Sequence, residues 1–279
     1  MNKFAFEPDS GPATPVSLTP EAGQGTPTKW YLPRLKAAGV HLLLSFAVVF
    51  LAIMLVTQLW YPGALLFASG GVKLLALMVI VDLVLGPVLT FSVFDRRKKS
   101  LAFDLAIIAI VQLSALAYGL HAAHNGRPVF SVFVVDRIEL VSAAEVDVEE
   151  LKLAAPKFRD IAFTGPSLVA ASVPGDLRER AELALSAAAG VDLKHFLRYY
   201  VDFESQRQAI LAASKPLADL GKYNDPVRVQ NAVASLGEHA SSDSLRYLPV
   251  QGKREDLSMV IDSTNLRPVG LLRLRPWQD

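Results

Sequence analysis

Three transmembrane helices followed by a soluble α+β domain with antiparallel strands is the fold class that this sequence predicts, and three observations predict it. Three apolar runs follow one another between about residues 37 and 121, each near the roughly 20 residues that cross a bilayer. A basic cluster, Asp95-Arg96-Arg97-Lys98-Lys99, stands between the second and third runs. After residue 125 the hydrophobic pattern changes to short helical and strand-like segments.

The 279 residues are 52% hydrophobic, above the 45–50% usual for a globular chain. The formal net charge is +1, which argues against nucleic acid as a partner, because neutralising phosphates needs a basic stripe. The absence of cysteine excludes disulfides, zinc–thiolate sites, iron–sulfur clusters and cysteine nucleophiles. Residues 1–28 carry Glu7, Asp9 and Glu21 and five prolines, Pro8, Pro12, Pro15, Pro20 and Pro27. A secretory signal needs a basic start followed by an apolar run, so this stretch reads as a disordered tail. The first membrane helix then serves as the uncleaved targeting signal.

Residues 29–124 form the predicted membrane domain. Ala37–Leu59 is the first span, with His41, Ser45, Thr57 and Gln58 as its polar members, and Trp60-Tyr61 follows at the interface. Leu74–Phe94 is the second, with one charge, Asp82, and Leu101–Leu120 is the third, with Asp104, Gln112 and Tyr118. As buried helices of a soluble protein, three such runs would need a very large covering shell. Lysine and arginine near span ends set orientation. Lys29, Arg34 and Lys36 precede the first span, and Arg96, Arg97, Lys98 and Lys99 separate the second from the third. Both flanks are expected in the cytoplasm. That puts residues 125–279 on the far side, the periplasm in a bacterium.

Ionisable groups within spans are costly and are functional candidates. At 1.5 Å per helical residue, Asp82 and Gln112 both lie roughly 17–18 Å from the cytoplasmic end of their spans. A glutamine amide at that depth can donate to the carboxylate. His41 and Asp104, each within about one turn of the cytoplasmic face, form a second depth-matched pair. Asp82, Gly86 and Thr90 project from one side of the second span. Pro87 removes a backbone donor, frees the carbonyl of Leu83 and bends the helix unless neighbours repair it. Gly86 allows another helix to approach, and Gln112, Ala115 and Gly119 give the third span a comparable face. These faces either pack the bundle or receive a client transmembrane helix. An aspartyl-protease dyad is rejected, because its carboxyls must nearly touch and Asp82 and Asp104 differ in depth by about 13 Å.

In the soluble domain, Val129–Val135 reads as a strand that residues 138–141 continue. Asp176–Ala189 reads as a helix capped by Asp176 and ended at Gly190, and Phe203–Lys215 as a helix stopped by Pro216. Asp225-Pro226 starts a third helix, Val227–Leu236, with Gly237 at its stop. Leu245–Val250, Leu257–Ile261 and Val269–Leu274 read as an antiparallel meander. HExxH, Walker, GxSxG and GxGxxG patterns are absent, so no catalytic, cofactor or metal residues are assigned. His121 and His124 are too few for a closed metal site. Tyr199-Tyr200 is either a client-binding aromatic patch or core.

Several of these residues resemble one family. Val81-Asp82-Leu83-Val84-Leu85-Gly86-Pro87, Lys98-Lys99-Ser100-Leu101 with Phe103-Asp104-Leu105, Gln112, and Ala117-Tyr118-Gly119 are similar to the membrane signature of TfpX/TfpZ-type pilin accessory proteins. So are Trp60-Tyr61-Pro62-Gly63, Phe133–Asp136, Gly165-Pro166, Tyr199-Tyr200, Tyr247-Leu248-Pro249 and Arg275-Pro276-Trp277. The likeness covers roughly residues 33 to 277. It implies a bacterial inner-membrane protein, chaperone-like and not an enzyme, that assists the major type IV pilin. Asp82, Gly86, Pro87, Thr90 and Gln112 would then meet the pilin's membrane helix, and a surface that includes Tyr199 and Tyr200 its periplasmic head. The runner-up function is an envelope sensor with a periplasmic ligand-binding domain, which lacks a visible cytoplasmic output module. A transporter would need oligomerisation to enclose a path. The oligomeric state is not legible in the sequence.

Overall fold

A computed structural model describes residues 30–278; the expected disordered tail, residues 1–28, lies outside them. Three helices are long and apolar enough to cross a membrane: Tyr31–Trp60, Gly71–Val93 and Leu101–Gly126. Their apolar surface faces outward on most sides, as with Leu43, Leu51, Leu77 and Ile110, which suits a lipid surround. The third helix runs six residues past its expected end at Leu120. Polar His121 and Asn125 hydrogen-bond one turn apart (3.0 Å) and prolong it at the headgroup level.

The second span contains a π-helical turn, Ile80–Leu85, immediately before Pro87. In that turn the Gly86 N–H donates to the carbonyl of Val81, five residues back. The same register would pair residue 87 with the Asp82 carbonyl, and proline has no N–H to give. The orphan acceptor is therefore Asp82 O, not the Leu83 carbonyl expected from an α-helical count.

The sheet domain begins two residues after the third span. Its strands are β1 (Pro128–Val134), β2 (Arg137–Ser142), β3 (Ser167–Ala171), β4 (Tyr200–Asp202), β5 (Lys215–Pro216), β6 (Leu245–Gln251), β7 (Leu257–Asp262) and β8 (Pro268–Leu272). The order across the sheet is β4-β3-β1-β2-β6-β7-β8, with β5 on the flank of β6. The C-terminal meander β6-β7-β8 is antiparallel as expected. Two pairings depart from the antiparallel expectation, because β1 runs parallel to β3 and β2 parallel to β6. Residues 138–141 do not continue the first strand. Val135 adopts φ 56°, and the chain reverses through Val135-Asp136 into the antiparallel partner of β1. A valine in the left-handed region carries no turn signature.

Around the sheet, helices Leu177–Ala188 and Pro226–Ala234 start at Asp176 and Asp225, whose carboxylates accept N–H bonds from their first turns. The expected helix over 203–215 is a 3-10 turn, Phe203–Gln206, then an α-helix, Arg207–Ala213; Lys215-Pro216 pairs with the sheet.

The membrane and sheet parts share a core. Leu65 and Ala68, in the short helix Leu65–Ala68 between the first two spans, are buried with Phe133, Ile138, Leu248, Val250, Leu257 and Ile261 of the sheet. The Arg254 N–H donates to Ala68 O (2.9 Å) and the Gly165 N–H to Leu59 O (2.8 Å). Tyr61 donates its hydroxyl to Ala123 O (2.8 Å), closing the end of the bundle next to the sheet domain. Gly70, at φ 80°, turns the chain from this loop into the second span, a conformation only glycine adopts without strain.

Candidate functional site

The second span packs against both of the others, and a groove of about 590 Å³ opens over it between the first and third. Val40, Leu44 and Val48 form one wall, and Ala109, Leu113 and Leu116 the other. Asp82, Thr90 and Gln112 line it as buried polar residues. Lys36 and Arg96 stand at its basic-cluster end.

Depth matching brought Asp82 and Gln112 together correctly. Gln112 Nε2 is 3.4 Å from Asp82 Oδ1 and 3.4 Å from Asp82 O. The amide thus serves the carbonyl orphaned by Pro87 as well as the carboxylate. The other oxygens, Asp82 Oδ2 and Gln112 Oε1, are buried without a hydrogen-bond partner. Unpaired acceptors away from water are costly, and here two of them lie beneath the surface of one groove, on residues that line it.

Close packing explains the small residues. A Cβ on Gly86 would lie 2.2 Å from Gln112 Nε2, and a Cβ on Gly119 would lie 2.8 Å from Met78 Cγ. Gly86 is therefore covered by the third span and is not open to a further helix. Pro87 is half-buried at the foot of the π-turn.

The second depth-matched pair does not form. His41 Nδ1 instead hydrogen-bonds Thr90 Oγ1 (2.7 Å), joining the first span to the second. Asp104 pairs with Lys98 (2.5 Å) and reaches Ser100 (3.5 Å). The reason is rotational: equal depth says nothing about which face of a helix a side chain occupies. Arg96, Arg97, Lys98 and Lys99 are exposed in the turn between the second and third spans.

The tyrosine pair is split by its surroundings. Tyr200 is core: its ring stands edge-on to Phe130 and Phe158 (5.3 and 6.3 Å) and its hydroxyl donates to Lys194 O (2.5 Å). Burial pushes that hydroxyl's pKa far up. Tyr200 therefore offers no surface for a partner. Tyr199 is half-exposed beside Phe196. The neighbouring Arg198 forms a bidentate ion pair with Glu150 that raises the guanidinium's pKa.

Sequence reasoning missed the aromatic joint at the sheet-domain end of the spans. Trp60 stands edge-on to His124 (5.2 Å) and to Phe163 (6.2 Å). Trp60 and His124 were visible as interfacial residues; Phe163 lies in an irregular loop that gives no periodic signal. Among the described residues, no group of three or more metal-type ligands comes together.

A family model described as "Fimbrial assembly protein FimB" matches residues 30–63, the first span with Trp60-Tyr61-Pro62-Gly63. The chain is 32% identical over 234 residues to a fimbrial assembly protein of Dichelobacter nodosus serogroup I, covering 83% of this chain and 91% of that protein. The serogroup E1 protein of the same organism is 31% identical over the same coverage. A third, of serogroups C1 and C2, is 36% identical over 118 residues, 42% of this chain and 90% of that protein. No solved structure matches the chain.

Proposed function

The chain belongs to the fimbrial assembly protein family, and from that premise we propose that it serves pilus biogenesis as a non-enzymatic, chaperone-like membrane protein that binds the major type IV pilin. A pilin subunit has one membrane helix and one globular head. In this reading the groove receives the membrane helix and the sheet domain, on a surface that includes Tyr199, meets the head.

The observation that carries the reading is the groove itself: its walls are largely apolar, Asp82, Thr90 and Gln112 line it as buried polar residues, and Asp82 Oδ2 and Gln112 Oε1 lie unpartnered beneath its surface. The walls suit an apolar helix, and a polar side chain on such a helix would find a partner in this triad whose value rises where water is absent. Thr90 belongs to the same surface and Pro87, half-buried, does not line it; Gly86 supports the groove from beneath by admitting Gln112.

The protein sits in the bacterial inner membrane with its N-terminus in the cytoplasm and the sheet domain in the periplasm. The exposed cluster at 96–99 supports that orientation through its charge. A periplasm-active reporter fused after Asp279 should be active, and one active only in the cytosol would reverse the orientation.

The direct test of the groove is Asp82→Ala. Pilin level or piliation should fall while the accessory protein stays in the membrane at its normal amount. Normal piliation would remove the groove from the proposal. In-cell photocrosslinking from Leu113 and from Tyr199 should capture pilin; capture from Tyr199 alone would leave only the head contact.

A further inference from the structure

A second concave site lies where the sheet domain meets the membrane, and its chemistry is opposite to that of the groove. A cleft of about 630 Å³ is lined by Arg228, Lys253, Arg254, Arg273 and Arg275, with Trp277 at its edge. Its carboxylates are Glu255 and Asp256, so five cations face two anions. Both carboxylates are engaged. Glu255 accepts two bonds from Arg273 (3.2 and 2.8 Å), and Asp256 accepts from the Gly252 N–H (3.0 Å) and Trp277 Nε1 (2.9 Å). Lys253 is paired with Glu145 (3.0 Å) and Arg273 with Glu255 (2.8 Å), whereas the Arg228 and Arg254 guanidiniums have no carboxylate within ion-pair distance among the described residues.

The position of the cleft is fixed against the spans. Arg254 bonds through its main chain to Ala68 O (2.9 Å). Its aliphatic stem lies against Gly70, where a Cβ would be 3.0 Å from Arg254 Cγ, and the second span begins one residue later. Arg273 stacks on Phe67, 3.6 Å from the ring centroid. The cleft thus lies at the start of the second span, whose Val72 and Leu77 are exposed further along the helix.

We propose that this cleft binds the phosphate of an anionic phospholipid in the leaflet on the sheet-domain side, with the acyl chains running down the second span. Arginine guanidiniums suit a phosphate because they donate in a planar fork. The Trp277 indole suits the interface, where an apolar ring with a polar N–H is favoured. A free anion would satisfy the charges equally well. The adjoining lipid-facing helix favours a ligand with a tail.

The test uses the full-length chain in neutral detergent, with bound lipid counted by native mass spectrometry. Phosphatidylglycerol should bind more tightly than phosphatidylcholine of the same acyl length. Arg254→Ala should weaken that preference roughly fivefold, and Arg228→Ala with Arg254→Ala roughly 25-fold, at the strength of attraction usual for one basic residue at an anionic surface. Both arginines are exposed, so the thermal midpoint should not move. Lys152→Ala with Arg178→Ala removes the same charge from exposed positions of the sheet domain outside the cleft and should leave the tight lipid bound. Equal binding of the two lipids, retention by the cleft variant or equal loss in the Lys152/Arg178 variant would overturn the proposal. So would displacement of the lipid by glycerol 3-phosphate at equal concentration, which would identify a site for soluble phosphates.

Discussion

Gln112 of the third span stands 3.4 Å from both the side-chain Oδ1 and the main-chain carbonyl oxygen of Asp82 in the second. One amide therefore answers two acceptors that lipid cannot. The carbonyl needs it because Pro87 has no N–H, and the carboxylate needs it because no basic side chain forms an ion pair with it among the described residues. Gln112→Leu should destabilise the bundle by about 1–2 kcal/mol, toward the cost of a buried acceptor left unmade. Reversible unfolding in bicelles measures this, and a change below about 0.3 kcal/mol would mean that the amide carries no weight there.

Gly86→Ala probes the same contact from beneath. The new methyl would meet Gln112 Nε2 at 2.2 Å and Cδ at 2.7 Å, so the amide must leave Asp82 or the helices must part. A loss of about 1–3 kcal/mol is expected, as for overpacking elsewhere. Adding Gln112→Ala should relieve it, so the double variant should be less damaged than the sum of the singles. Strict additivity would show that the glycine and the amide do not compete for one space.

His41 and Thr90 form a separate link, at 2.7 Å between the first and second spans. Hydrogen bonds between membrane helices average about 0.6 kcal/mol in double-mutant cycles. A cycle of His41→Phe and Thr90→Val should return a coupling of that size.

Much of this site was legible because depth along a span is a linear function of residue number. Asp82 and Gln112 could be matched by counting. Counting could not supply rotation, which is why His41 was matched to Asp104 while its actual partner is Thr90. Nor could it foresee the π-turn, since one extra residue per turn moves the orphan carbonyl from Leu83 to Asp82. In the sheet, the meander was readable from its alternating runs, but β3 was missed because its parallel partner β1 lies 30 or more residues away and no turn links them. Dispersed motif residues prove to be neighbours: Gly165 packs on Pro62 and bonds to Leu59, and Tyr247 donates its hydroxyl to Pro276 O (3.2 Å). Spacing gave no hint of either meeting.

The interspan loop makes the sheet domain dependent on the membrane part. Leu65 is 5% and Ala68 0% exposed in the sheet's own core. Leu65→Ala should cost about 2–5 kcal/mol, as large-to-small changes in a core do, although the residue lies between two spans. Residues 127–278 produced alone should melt at lower denaturant than the same domain in the full chain, with the seats of Leu65 and Ala68 open to water. Equal midpoints would show that the loop contributes nothing to that core.

Glu145 ties the start of the sheet domain together and should set part of its acid stability. Burial alone would raise its pKa, but the Ser142 N–H and hydroxyl donate to it (2.8 and 2.7 Å) and Lys253 lies 3.0 Å away. Together these overcome burial and hold the carboxyl below its ordinary value of 4.5. A carboxylate depressed on folding adds stability that is fully present above its unfolded pKa and is lost as pH falls through the folded one. The thermal midpoint should therefore be flat with respect to this group at neutral pH and fall below about pH 4.5, in the window where the unfolded chain takes up the proton first. Glu145→Gln should lower the midpoint at pH 7 and shrink the difference from the native chain as the pH drops to about 3. A gap of constant size from pH 7 to 3 would assign the loss to the altered side-chain packing and not to the charge.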